Sequence, residues 1–145
     1  MVYWDTSALL KLYVPEPDSA AFLDLIAKSD ELVASSAIAG TEVLCAVYRK
    51  EAAGDLKAGG ARAAFRRFLA DCKARRIVQI PYGDDVTAAT AEIVHLALLR
   101  PRPIMIRALD AIHVASAIVI RASLVVTTDA RMREVAVLAK LRVLP

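Results

Sequence analysis

Short apolar runs alternate with longer segments of helical periodicity along the whole chain. The apolar runs are rich in Val, Ile and Leu and mostly lack polar alternation, as is typical of parallel strands covered on both faces. They predict strands over residues 1–5, 32–35, 77–80, 124–128 and 141–144. The segments between them predict helices over residues 18–29, 37–53, 61–75, 84–100, 109–121 and 130–140. This alternation predicts an α/β sandwich around a mostly parallel sheet.

The length of 145 residues predicts one domain, and no repeat or linker divides it. The apolar fraction of 57% is high, yet no apolar run approaches the roughly 18 residues of a membrane span. The excess of apolar residues is therefore expected in the core or in an oligomer interface. The chain opens on a strand-like segment without the features of a signal peptide, so we expect a cytoplasmic protein with no membrane association. Cys45 and Cys72 occupy apolar helical positions and are expected to be reduced core residues.

Two acids stand at the ends of predicted strands. Asp5 closes the first strand and Asp129 closes the fourth. Ligands of open parallel sheets bind beyond the carboxyl ends of the strands, so these two carboxylates point toward one crevice. Either acid can also simply cap the turn or helix that follows it.

Two further acids lie beside apolar stripes of predicted helices. Glu42 has Ile38 and Cys45 among its helical neighbours, and Asp110 is followed by His113 and apolar residues on the same face. The sequence leaves an alternative for each of these acids. Glu42 can reach solvent at the edge of its helix. Asp110 can cap a helix or pair with Arg107.

Four converging carboxylates would have to bind a cation or take up protons. Two carboxylates about 4 Å apart repel each other by about 4 kcal/mol at an effective dielectric constant near 20. Ligation by oxygen alone suits Mg²⁺ or Mn²⁺ rather than zinc. Thr6 and Thr127 supply hydroxyls beside the strand-end acids and could orient a carboxylate or a water molecule. His113 is interpreted as a packed, hydrogen-bonded core residue.

Basic residues are concentrated in one segment of the chain. Residues 57–76 carry seven Lys and Arg residues against Asp71 alone. Such a block can attract a polyanion, or it can be a solvated helix face. If the substrate is a nucleic acid, Lys11, Arg49, Lys50 and the helix over 62–76 are candidates to deliver it to an acidic site.

These residues together resemble the PIN domain family, and specifically the VapC-type toxin ribonucleases of type II toxin–antitoxin pairs. The matching motifs are YWDTSALLKLY at residues 3–13, TEV at 41–43, LDAIHVA at 109–115 and VTTDARM at 126–132. They come in the family's order and span nearly the whole chain.

The resemblance implies that residues 1–145 form one PIN-like nuclease domain, a single three-layer α/β/α sandwich. It implies that Asp5, Glu42, Asp110 and Asp129 bind Mg²⁺ or Mn²⁺, with Thr6 or Thr127 in the family's hydroxyl role. The implied reaction is the hydrolysis of RNA phosphodiesters by metal-activated water. The implied partners are a second copy in a homodimer and a small cognate antitoxin that inserts a C-terminal segment into the acidic site.

Two other functions are compatible with parts of the sequence. A catalytically weak PIN module could grip RNA or a protein through Arg62, Arg66 and Arg67. A phosphatase or phospho-receiver on an α/β sheet would want Asp-x-Asp, or a paired acid with a late lysine. Asp5 is instead followed by Thr6 and Ser7, and no such lysine is present.

Overall fold

Five strands, all parallel, form the central sheet of the computed structural model, which describes residues 1–145. They are β1 (Val2–Trp4), β2 (Val33–Ser36), β3 (Ile77–Ile80), β4 (Leu124–Val126) and β5 (Val143–Leu144). Their order across the sheet is β3-β2-β1-β4-β5. The chain therefore winds outward in one direction from β1 to β3 and then crosses to the other side of β1 for β4 and β5.

Seven helices connect and cover the strands. They are α1 (Thr6–Leu10), α2 (Ser19–Ala27), α3 (Ala39–Ala52), α4 (Gly60–Lys73), α5 (Asp84–Leu98), α6 (Ala108–Val119) and α7 (Ala130–Leu138). None of them has both the length and the apolar character needed to cross a membrane.

The sheet separates two apolar cores. Val2 and Trp4 project from β1 into a core shared with α1 to α4, in which Phe22 and Phe68 are buried. Tyr3 projects to the opposite face, into a core shared with α5 to α7. This alternation within one strand follows from the two-residue period of β structure. It confirms the single-domain, three-layer α/β/α sandwich with a parallel sheet.

The predicted strands and helices are all present, with every end within about two residues of its expected position. The element that the prediction missed is α1, which is only five residues long. Five residues are too few to show a helical period, and only Asp5, Thr6 and Ser7 separate the apolar residues of β1 from those of α1. Its start is marked only by the capping side chain of Asp5, which accepts a hydrogen bond from the backbone N–H of Ala8.

The strand order places a crevice at a defined point of the sheet. β1 and β4 are neighbours, and the connections that leave them run toward opposite sides of the sheet. Such a switch in strand order opens a cleft beyond the carboxyl ends of the two strands. Asp5 and Asp129 follow these two strands, so the fold brings them to the same cleft.

Candidate functional site

A cavity of about 430 Å³ opens at this switch point. Four elements supply one acid each to its wall: the end of β1, helix α3, helix α6 and the segment after β4. The four acids are Asp5, Glu42, Asp110 and Asp129. The structure therefore brings together all four predicted site acids, which are scattered over 125 positions of the chain.

Asp5 is buried at the base of the cavity, with 4% of its surface exposed. Its carboxylate accepts hydrogen bonds from the Ala8 backbone N–H (2.9 Å), the Ser7 hydroxyl (2.8 Å) and the Thr127 hydroxyl (2.7 Å). Burial raises the pKa of Asp5, and these hydrogen bonds oppose the rise. The carboxylate is thus held rigidly, but its negative charge is only partly compensated by the protein.

Glu42 enters from α3 and is held by two side chains through one oxygen. Its Oε2 accepts a hydrogen bond from the Thr6 hydroxyl (2.6 Å) and lies 2.7 Å from Nε2 of His113. Burial works against the charge of Glu42, but the contacts with His113 and Thr6 outweigh it and lower its pKa. Glu42 is therefore an ionised carboxylate that faces the cavity, and 23% of its side chain is exposed to solvent.

Asp110 and Asp129 are bridged by the guanidinium of Arg107. Arg107 donates to Asp110 from Nε (2.7 Å) and to Asp129 from a terminal nitrogen (2.7 Å). The hydrogen bond to Asp110 raises the pKa of Arg107, so the arginine stays charged. A positive charge thus already lies between two of the four acids.

The alternatives left open by the sequence are resolved residue by residue. Asp5 and Asp129 do cap α1 and α7, and they line the cavity at the same time. Asp110 pairs with Arg107 as one alternative proposed, but it lies in the first turn of α6 and is not its N-cap. Thr127 is fully buried behind Asp5, where its hydroxyl also accepts from the Asp129 backbone N–H.

The donor chemistry of the cavity fits a hard divalent cation, because its acids offer only carboxylate oxygens and hydroxyls lie beside them. In the present conformation, no three His, Cys, Asp or Glu side chains form a ready set of metal ligands. In this conformation Arg107 pairs with both Asp110 and Asp129. A cation that used all four acids would have to displace this guanidinium.

Arg49 and Arg107 are the basic residues that line the cavity. Arg49 is exposed on α3 and takes part in none of the ion pairs of the structure. The other candidates for delivering a polyanion are placed differently. Lys11 and Lys50 both pair with Glu16.

The basic helix α4 lies outside the cavity wall. Arg62 and Arg66 are exposed there. Arg67 has a packing role instead, because it donates to the backbone oxygen of Tyr13 and lies over the Tyr13 ring. The basic block of the sequence is therefore a surface feature separate from the four acids.

Sequence reasoning missed several features of the site. Cys45 is not a core residue, because it is exposed on the cavity wall one helical turn after Glu42. His113 is buried and hydrogen-bonded as expected, but its partner is one of the site acids. The i, i+3 spacing of Arg107 and Asp110 signals their ion pair, whereas nothing in the sequence signals the second contact, to Asp129.

Comparison with known proteins identifies the family to which this fold belongs. A family model described as the PIN domain matches residues 2–138. The chain resembles the VapBC2 structure from Rickettsia felis, bound to a DNA fragment from its promoter, with a TM-score of 0.71 and 20% identity over 99% of this chain and 98% of that one. FitAcB from Neisseria gonorrhoeae gives a TM-score of 0.65 and 22% identity over 100% and 97%.

VapBC-1 from nontypeable Haemophilus influenzae is similar at a TM-score of 0.65 and 13% identity, over 99% of this chain and 97% of that one. No curated protein sequence matches the chain significantly. At these identities the solved structures establish the fold alone, whereas the family model covers almost the entire sequence. The family model includes the four motifs that suggested the resemblance and the acids that meet in the cleft. The chain therefore belongs to the PIN domain family.

Proposed function

We propose that this protein is a Mg²⁺- or Mn²⁺-dependent endoribonuclease and the toxin of a toxin–antitoxin pair. The observation that carries the proposal is the meeting of Asp5, Glu42, Asp110 and Asp129 in one cavity at the switch point of the sheet. Membership of the PIN domain family supports the nuclease class. The resemblance to VapBC and FitAB complexes supports the toxin assignment.

Each residue has a defined task in this proposal. The four acids would hold the cation, with Asp5 fixed by Ser7 and Thr127, and Glu42 fixed by Thr6. The bound cation would supply a Lewis acid that activates water and offsets the charge developing on the phosphate. The wall position of Arg49 suits a contact with the RNA backbone next to the scissile phosphate.

The partners follow from the same proposal. A small antitoxin would cover the acidic cavity, and the pairing of toxin and antitoxin chains in the VapBC and FitAB structures supports this. A homodimer would cover apolar side chains that the single chain leaves in solvent, including Leu99 and Met105 at 78% and 68% exposure. A toxin that acts on cellular RNA would work in the cytoplasm.

The test of the function is incubation of the purified protein with total cellular RNA and Mg²⁺ or Mn²⁺. Discrete fragments that form only with metal, and not with EDTA, are the expected result. Intact RNA in all lanes would contradict the proposed activity on cellular RNA and favour the binding module described next.

A catalytically weak RNA-binding module is the second candidate. The observation that favours it is the Arg107 bridge, which leaves no preformed set of three metal ligands. In this alternative, RNA would bind to the exposed arginines of α4 and binding would survive chelation of metal.

Replacing Arg49 separates the two functions. In the nuclease, the Arg49→Ala change is expected to raise KM for RNA with little change in kcat. It should also reduce the slope of log affinity against log salt by about 0.7, because one phosphate contact is lost. The matched control is the Arg62→Ala, Arg66→Ala double variant, which removes exposed charges remote from the cavity. If only the control variant weakens RNA binding, the binding module is favoured.

Replacing Arg107 tests whether the guanidinium competes with the cation. The Arg107→Ala protein is expected to bind Mn²⁺ about tenfold more tightly in calorimetry, since two partly exposed ion pairs together account for about 1.4 kcal/mol. Arg102→Ala is the matched control, because Arg102 is an exposed arginine in the same connection. Unchanged or weaker Mn²⁺ binding in Arg107→Ala would show that the arginine does not compete for these acids.

A further inference from the structure

A buried chain of hydrogen bonds runs from the sheet to Glu42. The Tyr3 hydroxyl lies 2.7 Å from Nδ1 of His113, and Nε2 of His113 lies 2.7 Å from Oε2 of Glu42. Tyr3 is fully buried and His113 is 2% exposed. Both ring nitrogens of the histidine therefore have hydrogen-bond partners in the protein.

The partners of this chain define where its hydrogens lie. The backbone N–H of Ser36 donates to the Tyr3 hydroxyl at 3.0 Å. The hydroxyl oxygen is thus occupied as an acceptor, and its own hydrogen is free to point to Nδ1 of His113. Burial raises the pKa of Tyr3, so the hydroxyl keeps that hydrogen. At the other end, an ionised Glu42 can only accept, so Nε2 of His113 carries a hydrogen.

We propose that Tyr3 and His113 are positioning residues for cation binding, because they fix the orientation of the Glu42 carboxylate. This inference rests on the proposed function of the four-acid site. The hydroxyl of Thr6 and Nε2 of His113 both contact Oε2 of Glu42. Oε1 has no hydrogen-bond partner in the protein, which leaves it as the oxygen available to the cation.

This chain of hydrogen bonds also links two parts of the site. Tyr3 belongs to β1 and lies two residues before Asp5, while His113 lies one helical turn after Asp110 on α6. Glu42 comes from α3, in the layer on the opposite face of the sheet. The contact between His113 and Glu42 therefore ties together the two helical layers across the carboxyl edge of the sheet.

The first readout is the tautomer of His113 in the unmodified protein, measured by long-range ¹H–¹⁵N correlation. The chain contains two histidines, so the spectrum of His113→Gln assigns the signals. We expect Nε2 to carry a hydrogen that Glu42 accepts. A hydrogen on Nδ1 alone would leave Nε2 unable to donate to Glu42 and would overturn the inference.

The second readout is Mn²⁺ affinity by calorimetry. Tyr3→Phe keeps the ring but removes the hydroxyl, and it is expected to weaken Mn²⁺ binding by about tenfold. The matched control is Tyr13→Phe, since Tyr13 is also buried and its hydroxyl donates to Asp71 on the other side of the sheet. His113→Gln can still donate to Glu42 and should weaken binding less than His113→Leu.

The two readouts separate this inference from the proposed function. Wild-type affinity in a folded Tyr3→Phe protein would overturn the positioning role while leaving the metal site in place. Absence of Mn²⁺ binding in the wild type would reject the proposed metal site, and the positioning role with it. If Tyr3→Phe does not fold, the spectrum of the unmodified protein and the two His113 variants decide the inference.

Discussion

Replacing Asp5 with Asn is expected to reduce RNA cleavage by about a thousandfold or more and to leave the fold intact. Asp5 is the most buried of the four acids, and its carboxylate is held by the two hydroxyls of Ser7 and Thr127 and by one backbone N–H. Loss of its charge weakens cation binding and thus the stabilisation of charge at the phosphate. A loss of about 4 kcal/mol of that stabilisation corresponds to about a thousandfold in rate.

The fold should survive because asparagine is as good an N-cap as aspartate. Its side-chain oxygen can still accept from the Ala8 N–H that Asp5 contacts at 2.9 Å. Circular dichroism and thermal melting check this point, and a gel assay measures the cleavage. Asp30→Asn is the matched control, because Asp30 is exposed and makes no ion pair. Undiminished cleavage by the Asp5→Asn protein would contradict the proposed chemistry.

Addition of Mn²⁺ is expected to stabilise the protein strongly. A ligand that binds only the folded state at a hundredfold excess over its Kd stabilises that state by about 2.7 kcal/mol. For a chain of this size, the corresponding rise in Tm is about 5–10 °C. The physical reason is that the hydrogen bonds of buried Asp5 compensate its charge only in part, and a bound cation would compensate the remainder.

Differential scanning calorimetry with and without Mn²⁺ checks this expectation, and EDTA should reverse the shift. A monovalent salt at the same ionic strength controls for screening. The Asp5→Asn protein should show a much smaller shift. An equal Tm with and without Mn²⁺ in the wild type would show that the four acids do not bind the cation in the absence of RNA.

The fold was predictable from sequence because its signals are local. Apolar runs without polar alternation marked the five parallel strands, and helical periodicity marked six of the seven helices. Strand order was less accessible, because it depends on contacts such as those between β1 and β4, which are more than a hundred residues apart. The short helix α1 was not predicted because its only signal in the sequence is one capping side chain.

The four acids were predictable because each one stands where an unpaired carboxylate is costly, at a strand end or on an apolar stripe. Their environment was not predictable to the same degree. The contact of Arg107 with Asp129 joins residues 22 positions apart, and that of His113 with Glu42 joins residues 71 apart. Such partners are set by how α3, α6 and the segment after β4 meet at the cleft, which no local pattern encodes.

The basic block is a strong sequence signal that lies away from the site. Seven basic residues over 57–76 were compatible with a path for a polyanion or with a solvated helix face, and α4 contributes nothing to the cavity wall. Arg49 on α3, which was also a candidate from the sequence, does line the cavity. Charge density along a sequence thus identifies a basic surface but does not locate it relative to a site built from distant segments.

The most direct test of the proposed reaction is the chemistry of the RNA ends that the protein produces in Mn²⁺. Attack by water on the phosphodiester leaves a linear phosphate monoester and a free hydroxyl, because the 2′-hydroxyl of the RNA is not the nucleophile. We therefore predict fragments without 2′,3′-cyclic phosphate ends, formed by the wild type and absent with EDTA or with Asp5→Asn. Cyclic phosphate ends, or fragments that persist after chelation, would contradict a cation-dependent hydrolysis at the four acids.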